Sequence, residues 1–434
     1  MRQLLLDARF RQYAIAKLLQ LAGQNALIYG LFILVIEKQE SSLSTSLFVL
    51  CSVLPSVLLS IPGGVVADAT PRKMTILLML VARLAIILMF IRFDVSLPLV
   101  LGLTLLIWAI YQFYSPAENA ALIAVTPPGM MVQSNAVMYI VSLIAQLGGA
   151  GFIAPLALKT FDASGLFVVT LLLVFGGLFM FAGIRNLSPA EPPKHREGLL
   201  RSFSFGLRYF RADPLATRAM LQFVLLSSAT TMVIVAVPRY LEDVLSTGVI
   251  NAVYIFSPGA IGVAFGLAVA PLMTRLLGGP TVTLLGFIAF AGALAALAAV
   301  DPLSEAMREW AYFEWARETF NVNLPVATTM VIVPFGGLGI ALVNVSSRAL
   351  IYERAETARL GQIFATKSAI GSVASIIPTL TAGVLVDRVD VRYFLGAIAA
   401  LLIASLIPLL SYGRSRARIP AELLMQEVSA SESP

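Results

Sequence analysis

Cysteine and histidine are almost missing: one of each occurs in 434 residues, Cys51 and His195. A single cysteine excludes an intramolecular disulfide and any cysteine-rich metal cluster. The one histidine lies in a polar stretch among Pro, Lys, Arg and Glu, which leaves no basis for zinc sites, Cys–His nucleophiles or most Ser–His–Asp chemistry. Charge is scarce as well. Asp, Glu, Lys and Arg make up 12% of the chain, about half their usual share in a soluble domain. Hydrophobic residues make up 59%. So few polar groups cannot cover a water-facing globule, and lipid is the solvent such a chain requires. The net charge of +6 does not point to nucleic acid, because the basic residues are spread along polar intervals rather than clustered on one module.

A hydrocarbon core about 30 Å thick takes roughly 17–25 mostly apolar helical residues per crossing. Segments of that kind run over Tyr13–Val35, Leu47–Ala67, Met74–Ile91, Leu97–Tyr114, Val137–Leu158 and Gly165–Ile184. They resume over Met220–Val237, Ala252–Met273, Thr281–Val300, Val326–Val345, Ala369–Val386 and Tyr393–Leu410. The first has no small-residue cleavage site and is too long for a signal-peptide core, so it counts as a span. The pattern predicts an all-α membrane protein of about twelve transmembrane helices in two six-helix bundles. The bundles are expected over 1–184 and 219–434, joined by a cytoplasmic linker over 185–218, with a cytoplasmic tail at the end. Two such bundles joined by a linker are a common transporter plan.

With the N-terminus inside, the inner intervals carry more than twice as many Lys and Arg as the outer ones. Arg9, Arg11, Arg72, Lys73, Arg275, Arg348 and the basic central stretch fall inside, against Lys38, Arg92, Lys159 and Arg239 outside. The positive-inside rule then places both termini in the cytoplasm. The interval 301–324 is too charged to span, yet Leu303, Met307, Trp310 and Phe313 recur at helical spacing. It reads as an amphipathic segment on the outer face, either an interfacial anchor or a lid over an outward opening.

Between spans two and three the chain reads Gly64-Val-Val-Ala-Asp68-Ala-Thr-Pro71-Arg72-Lys73. This resembles the signature loop of the major facilitator superfamily, G-x-x-x-D-R-x-G-R-K. Ala69 and Pro71 depart from it. The resemblance implies a cytoplasmic latch that holds the outward-open state, formed by Gly64, Asp68, Arg72 and Lys73. Glu118, at the end of predicted span four, either pairs with Arg72 or is a solvated helix end. Phe113-Tyr114-Ser115-Pro116-Ala117-Glu118-Asn119 and Arg359-Leu360-Gly361-Gln362-Ile363-Phe364-Ala365 are similar to the multidrug and macrolide exporter branch and its lysophospholipid-transporter relatives. Gly148, Gly149, Gly151 and Pro155 loosely match that superfamily's antiporter signature, although small residues also simply let membrane helices pack.

Polar residues inside a bilayer are costly, so their placement is informative. They concentrate in spans one, four, seven and ten, and spans six, nine and twelve are nearly bare. In the superfamily the former set lines the cavity and the latter supports it. The expected cavity residues are Gln24, Asn25, Trp108, Gln112, Gln222 and Asn344, an aromatic-walled set with a few amides that suits hydrophobic or amphipathic ligands. Arg83, near the middle of span three, needs a companion such as Gln112, a backbone carbonyl or water; its functional reading is an anion or phosphate contact. Lys367, just inside span eleven, is the second cation that either faces a cavity or snorkels. No span as drawn clearly holds a titratable acid, so the coupling ion is open, a proton at Glu37 or Glu118 being one choice. The reading is therefore a monomeric transporter of the bacterial inner membrane that exports small amphipathic compounds by alternating access. The alternative is lysophospholipid translocation, with membrane lipid as the partner. No enzyme, cofactor, metal or nucleic-acid role is expected.

Overall fold

The structure is a computed structural model that describes residues 4, 6–38, 42–92, 96–127, 130–184, 199–248, 252–354 and 360–414. The chain divides into two compact units, Met1–Arg196 and Glu197–Pro434. The division falls inside the stretch read as a linker, and His195 and most of that stretch lie outside the described residues.

In the first unit, span one is Ala8–Lys38, span two Ser42–Ala69, span three Arg72–Arg92 and span four Leu97–Val125. Span five begins at Met131–Gln146, passes through a π-helical turn at Leu147–Ile153 and enters the helix Ala154–Gly183. Asp162 breaks that helix, with φ 57° and ψ −166°, and residues beyond it form span six. Ten helices are long and apolar enough to cross a membrane; one of them, Ile140–Gly183, contains this break and holds two crossings. With the shorter apolar helix Val391–Leu406, the described residues make twelve spans (ten, plus one, plus one).

In the second unit, Leu199–Ala212 is an amphipathic helix that buries Phe205, Tyr209 and Phe210 against Ala216, Ile351 and Ile363. Span seven is Pro214–Arg239, its start fixed by Pro214 in the first turn and by Asp213, whose carboxylate accepts from the Leu215 and Ala216 amides at 2.9 and 3.3 Å. Spans eight to twelve are Val253–Leu277, Gly279–Ala298, Leu324–Arg354, Leu360–Leu385 and Val391–Arg414.

Within the first unit, span one packs on spans five and six, span two on span four, and span three on spans four and six. The second unit repeats this pattern six spans later: seven on eleven and twelve, eight on ten, and nine on ten and twelve. Hydroxyls inside the spans turn inward on their own helices, as Ser52 does to Phe48 O at 3.1 Å and Thr379 to Ser375 O at 2.7 Å. That satisfies polar atoms that lipid cannot.

Two local expectations are corrected. Span four does not end at Tyr114, because its helix continues through Pro116 to Val125. Pro116 lacks the N–H that would reach the Gln112 carbonyl, but Gly63 of span two packs against that carbonyl, so the neighbouring helix absorbs the irregularity. The 301–324 segment is not one continuous amphipathic helix. It divides into Val300–Ala306 and Ala311–Phe320, and Asn321 follows at φ 50°. Phe313 and Ala316 turn inward, whereas Trp310 and Trp315 are 57% and 52% exposed, so Trp310 and Phe313 do not share a buried face.

Candidate functional site

Tyr13, Lys17, Gln20 and Gln24 follow one another at intervals of four, three and four, so they line one stripe of span one. Facing that stripe are Arg83 of span three and Tyr114 and Glu118 of span four. The Lys17 ammonium lies 2.8 Å from Glu118 Oε2. Tyr114 donates its hydroxyl to Glu118 Oε1 at 2.9 Å, and Tyr13 donates to the Glu118 backbone oxygen at 2.9 Å. Gln20 accepts from Arg83 Nη1 at 3.3 Å and donates to Val174 O of span six at 2.8 Å, so one amide ties three spans together. Gly177 makes that possible, since a Cβ there would lie 2.6 Å from Gln20 Nε2. The Arg83 guanidinium sits over the Tyr114 ring, 5.3 Å from its centroid, and Phe181 meets both Tyr13 and Tyr114 edge-on. Arg83 is 1% exposed and Glu118 6%. This is a charged network in a core that is otherwise apolar and aromatic.

The network changes two expectations. Arg83 finds Gln20 and an aromatic face, not Gln112. Glu118 is neither a helix end nor solvated: it lies inside span four and is held by Lys17 and Tyr114. The bundle therefore does hold a buried carboxylate, because span four continues past Tyr114 to include it. Lys17, Gln20, Tyr13 and Tyr114 were absent from the expected site. The signal for them was present in the stripe on span one and in the four-residue interval between Tyr114 and Glu118.

The structure places the remaining candidates as follows. Gln24 is buried on the same stripe, one turn beyond Gln20, and Asn25 donates to Leu21 O of its own helix at 2.8 Å. Gly149, in the π-helical turn of span five, approaches the Ala22 carbonyl and the Asn25 Cβ there. Trp108 meets Tyr111 edge-to-face at 5.5 Å and its buried Nε1 has no acceptor. Gln112 is half-buried. In the second unit Gln222 is buried, and Asn344 donates to Ile340 O of its own helix at 2.9 Å. Lys367 is 3% exposed, with its ammonium 4.2 Å from the centre of the Phe223 ring.

Of the signature-loop residues, Lys73 donates to the carbonyls of Ala182 and Ile184 at 2.6 and 2.9 Å, where it caps span six inside the first unit. Arg72 is half-buried, and the Asp68 side chain lies outside the described residues. A Cβ on Gly64 would meet nothing within 4 Å. The close approach to span four is made instead by its neighbour Gly63. Among the described residues, no group of three or more His, Cys, Asp or Glu is placed to hold a metal ion.

A carboxylate shared between an ammonium and a phenol can take up a proton and release the ammonium, and it can do so within a helical bundle. Nothing in this arrangement resembles a nucleophile with its base. The sequence profile described as Major Facilitator Superfamily matches residues 14–365. Solved structures with a similar fold include the nucleoside transporter NupG (TM-score 0.71, 14% identity, covering 93% of this chain and 99% of that one). An auto-inhibited POT family peptide transporter gives a TM-score of 0.69 at 12% identity over 94% and 98% of the two chains. A bacterial homologue of the iron transporter ferroportin in its inward-facing state gives 0.65 at 15% identity over 94% and 98%. At such identities the likeness is one of fold. No curated protein matches the chain.

Proposed function

Because the chain belongs to the major facilitator superfamily, and is thus a membrane transporter rather than an enzyme, we propose that it exports small hydrophobic or amphipathic compounds across a bacterial inner membrane. It does so as a monomer, with both termini cytoplasmic, by alternating access, and a proton carried on Glu118 drives it. The observation that carries this reading is the composition of one face of span four. Thr104, Trp108, Tyr111 and Glu118 recur there at helical spacing, a face on which two aromatic rings carry most of the area, which suits an amphipathic ligand. Gln24 and Asn25 of span one, with Gln112, are the first unit's candidates for substrate contact; Gln222 and Asn344 are the second unit's. Asp68, Arg72 and Lys73 serve as the cytoplasmic latch.

In this scheme the Lys17–Glu118 pair clamps spans one and four to each other. A second reading, lysophospholipid translocation, is supported by Arg83 and Lys367, two buried cations with no carboxylate partner among the described residues.

The test is thermal-shift stabilisation of the purified protein by amphipathic drugs (cationic, neutral and anionic, macrolides among them) and by lysophospholipids. A ligand at a hundred times its Kd stabilises by about 2.7 kcal/mol. Stabilisation by drugs alone is the expected result, whereas stabilisation by lysophospholipids alone would transfer the assignment to the second reading.

A further inference from the structure

Arg83 is the largest fully buried side chain among the described residues, yet the fold uses only part of it. Nη1 is taken by Gln20, while Nε and Nη2 are buried without a hydrogen-bond partner. On the adjoining helix two more groups are in the same condition. Thr104 is fully buried with an unpartnered hydroxyl, and Trp108 has an indole N–H with nothing to donate to. Thr104, Trp108 and Tyr111 occupy successive turns of one face of span four, about 5.4 Å apart along the axis. Tyr111 touches Trp108 and is, with Tyr114, an electrostatic neighbour of Arg83.

Charge balance points the same way. The groups that meet in this core are Lys17, Arg83 and Glu118, two cations against one carboxylate, and Lys17 already occupies that carboxylate. A structural staple between spans would need only the single bond to Gln20. A guanidinium in low dielectric with two unpartnered nitrogens is costly, and an acceptor bearing negative charge is what would satisfy it. Trp108 can only donate and Thr104 can do so, and neither repels an anion.

Resting on the export reading above, we propose that Arg83, with Trp108 on the neighbouring helix, forms a donor-lined subsite for the anionic group of an amphipathic substrate, with Tyr111 and Tyr114 as its aromatic wall. The substrate class is then an amphipathic carboxylate, sulfate or phosphate ester rather than a lipophilic cation.

The experiment uses the full-length protein in nanodiscs with Trp310→Phe and Trp315→Phe, which leaves Trp108 as the one remaining tryptophan. Energy transfer from Trp108 to pyrenebutyrate is compared with transfer to uncharged pyrenebutanol. Pyrenebutyrate is expected to bind saturably and about tenfold more tightly, in keeping with a charge-assisted contact. Arg83→Gln should abolish that difference while leaving pyrenebutanol binding in place. Arg83→Lys should retain part of it. Equal affinity of the two probes overturns the subsite and leaves amphipathic export standing, and so does a preference that survives Arg83→Gln. Should Arg83→Gln fail to fold, the wild-type preference and Arg83→Lys decide. Saturable binding of neither probe overturns both readings. Displacement of pyrenebutyrate by lysophosphatidylglycerol but not by decyl sulfate would identify the anion as a lipid headgroup; the reverse would identify it as a free amphipath.

Discussion

Lys17 and Glu118 are separated by most of the first bundle in sequence, yet they meet at 2.8 Å with side chains only 13% and 8% exposed. A pair so enclosed differs from a surface ion pair, because neither partner can fall back on water when the other is removed. Glu118 has in addition two tyrosine hydroxyls, one on its carboxylate and one on its backbone oxygen. The pair is thus a clamp between spans one and four.

Stranding either charge should be costly. Lys17→Met or Glu118→Gln alone is expected to lose about 3–5 kcal/mol, whereas the double variant, which leaves no unpaired charge, should lose clearly less than the sum. Thermal unfolding of the four proteins in one detergent completes the cycle. Additive losses would show that the two groups do not interact energetically. In everted vesicles, Glu118→Gln is also expected to abolish dependence of transport on a proton gradient.

The neighbouring glycines 63 and 64 should behave differently. A methyl on Gly63 runs into the Gln112 carbonyl and Phe113 amide of span four, which are backbone and cannot swing aside. Gly63→Ala is therefore expected to destabilise by about 1–3 kcal/mol. Gly64→Ala meets open space and should be neutral or slightly stabilising, within about 1 kcal/mol, because alanine is the better helix former. Equal losses at both positions in a thermal-unfolding assay would refute the packing assigned here.

These two cases show where the sequence was legible and where it was not. Spans could be read because an apolar run of membrane length has few other uses, and the twelve segments recur as helices with shifted ends. The polar positions of span one were equally visible. What stayed hidden is anything that depends on a neighbour. A proline in isolation argues against a continuing helix, and Gly63 on another span lets the helix pass Pro116, so Glu118, expected at the end of span four, lies inside it. Gln20 appeared to be one amide among several until Arg83 and Val174 gave it opposite partners for its two ends. In the same way, Gly64 was credited with the close packing that belongs to Gly63, since a one-residue step on a helix turns the side by about 100°.

Asp162 sits where an L side chain is poorly tolerated. Its φ of 57° with ψ of −166° belongs to a region populated almost only by glycine, at a cost of about 1–3 kcal/mol. The residue is exposed and separates spans five and six, so no packing would be lost on trimming it. Asp162→Gly is expected to raise the unfolding temperature, and Asp162→Val to lower it. A glycine variant less stable than the wild type would mean that the carboxylate contributes more than the backbone strain it imposes.

Trp315 on the short helix Ala311–Phe320 and Trp310 just before it present indole rings outward, while Phe313 and Ala316 are buried where the helix packs on span ten. An exposed aromatic pair on an otherwise acidic helix matches the amphipathic rings that settle at the membrane–water boundary. An anchor and a lid differ in what the rings touch: lipid at all times in one case, and substrate in the other. In a Trp108→Phe background these are the remaining tryptophans. Lipids brominated near the carbonyl end should quench them strongly, and those brominated at the chain end should do so weakly. Saturating substrate should leave that quenching unchanged. Loss of quenching on substrate addition would instead make the segment a lid, and would place the outward opening beneath it.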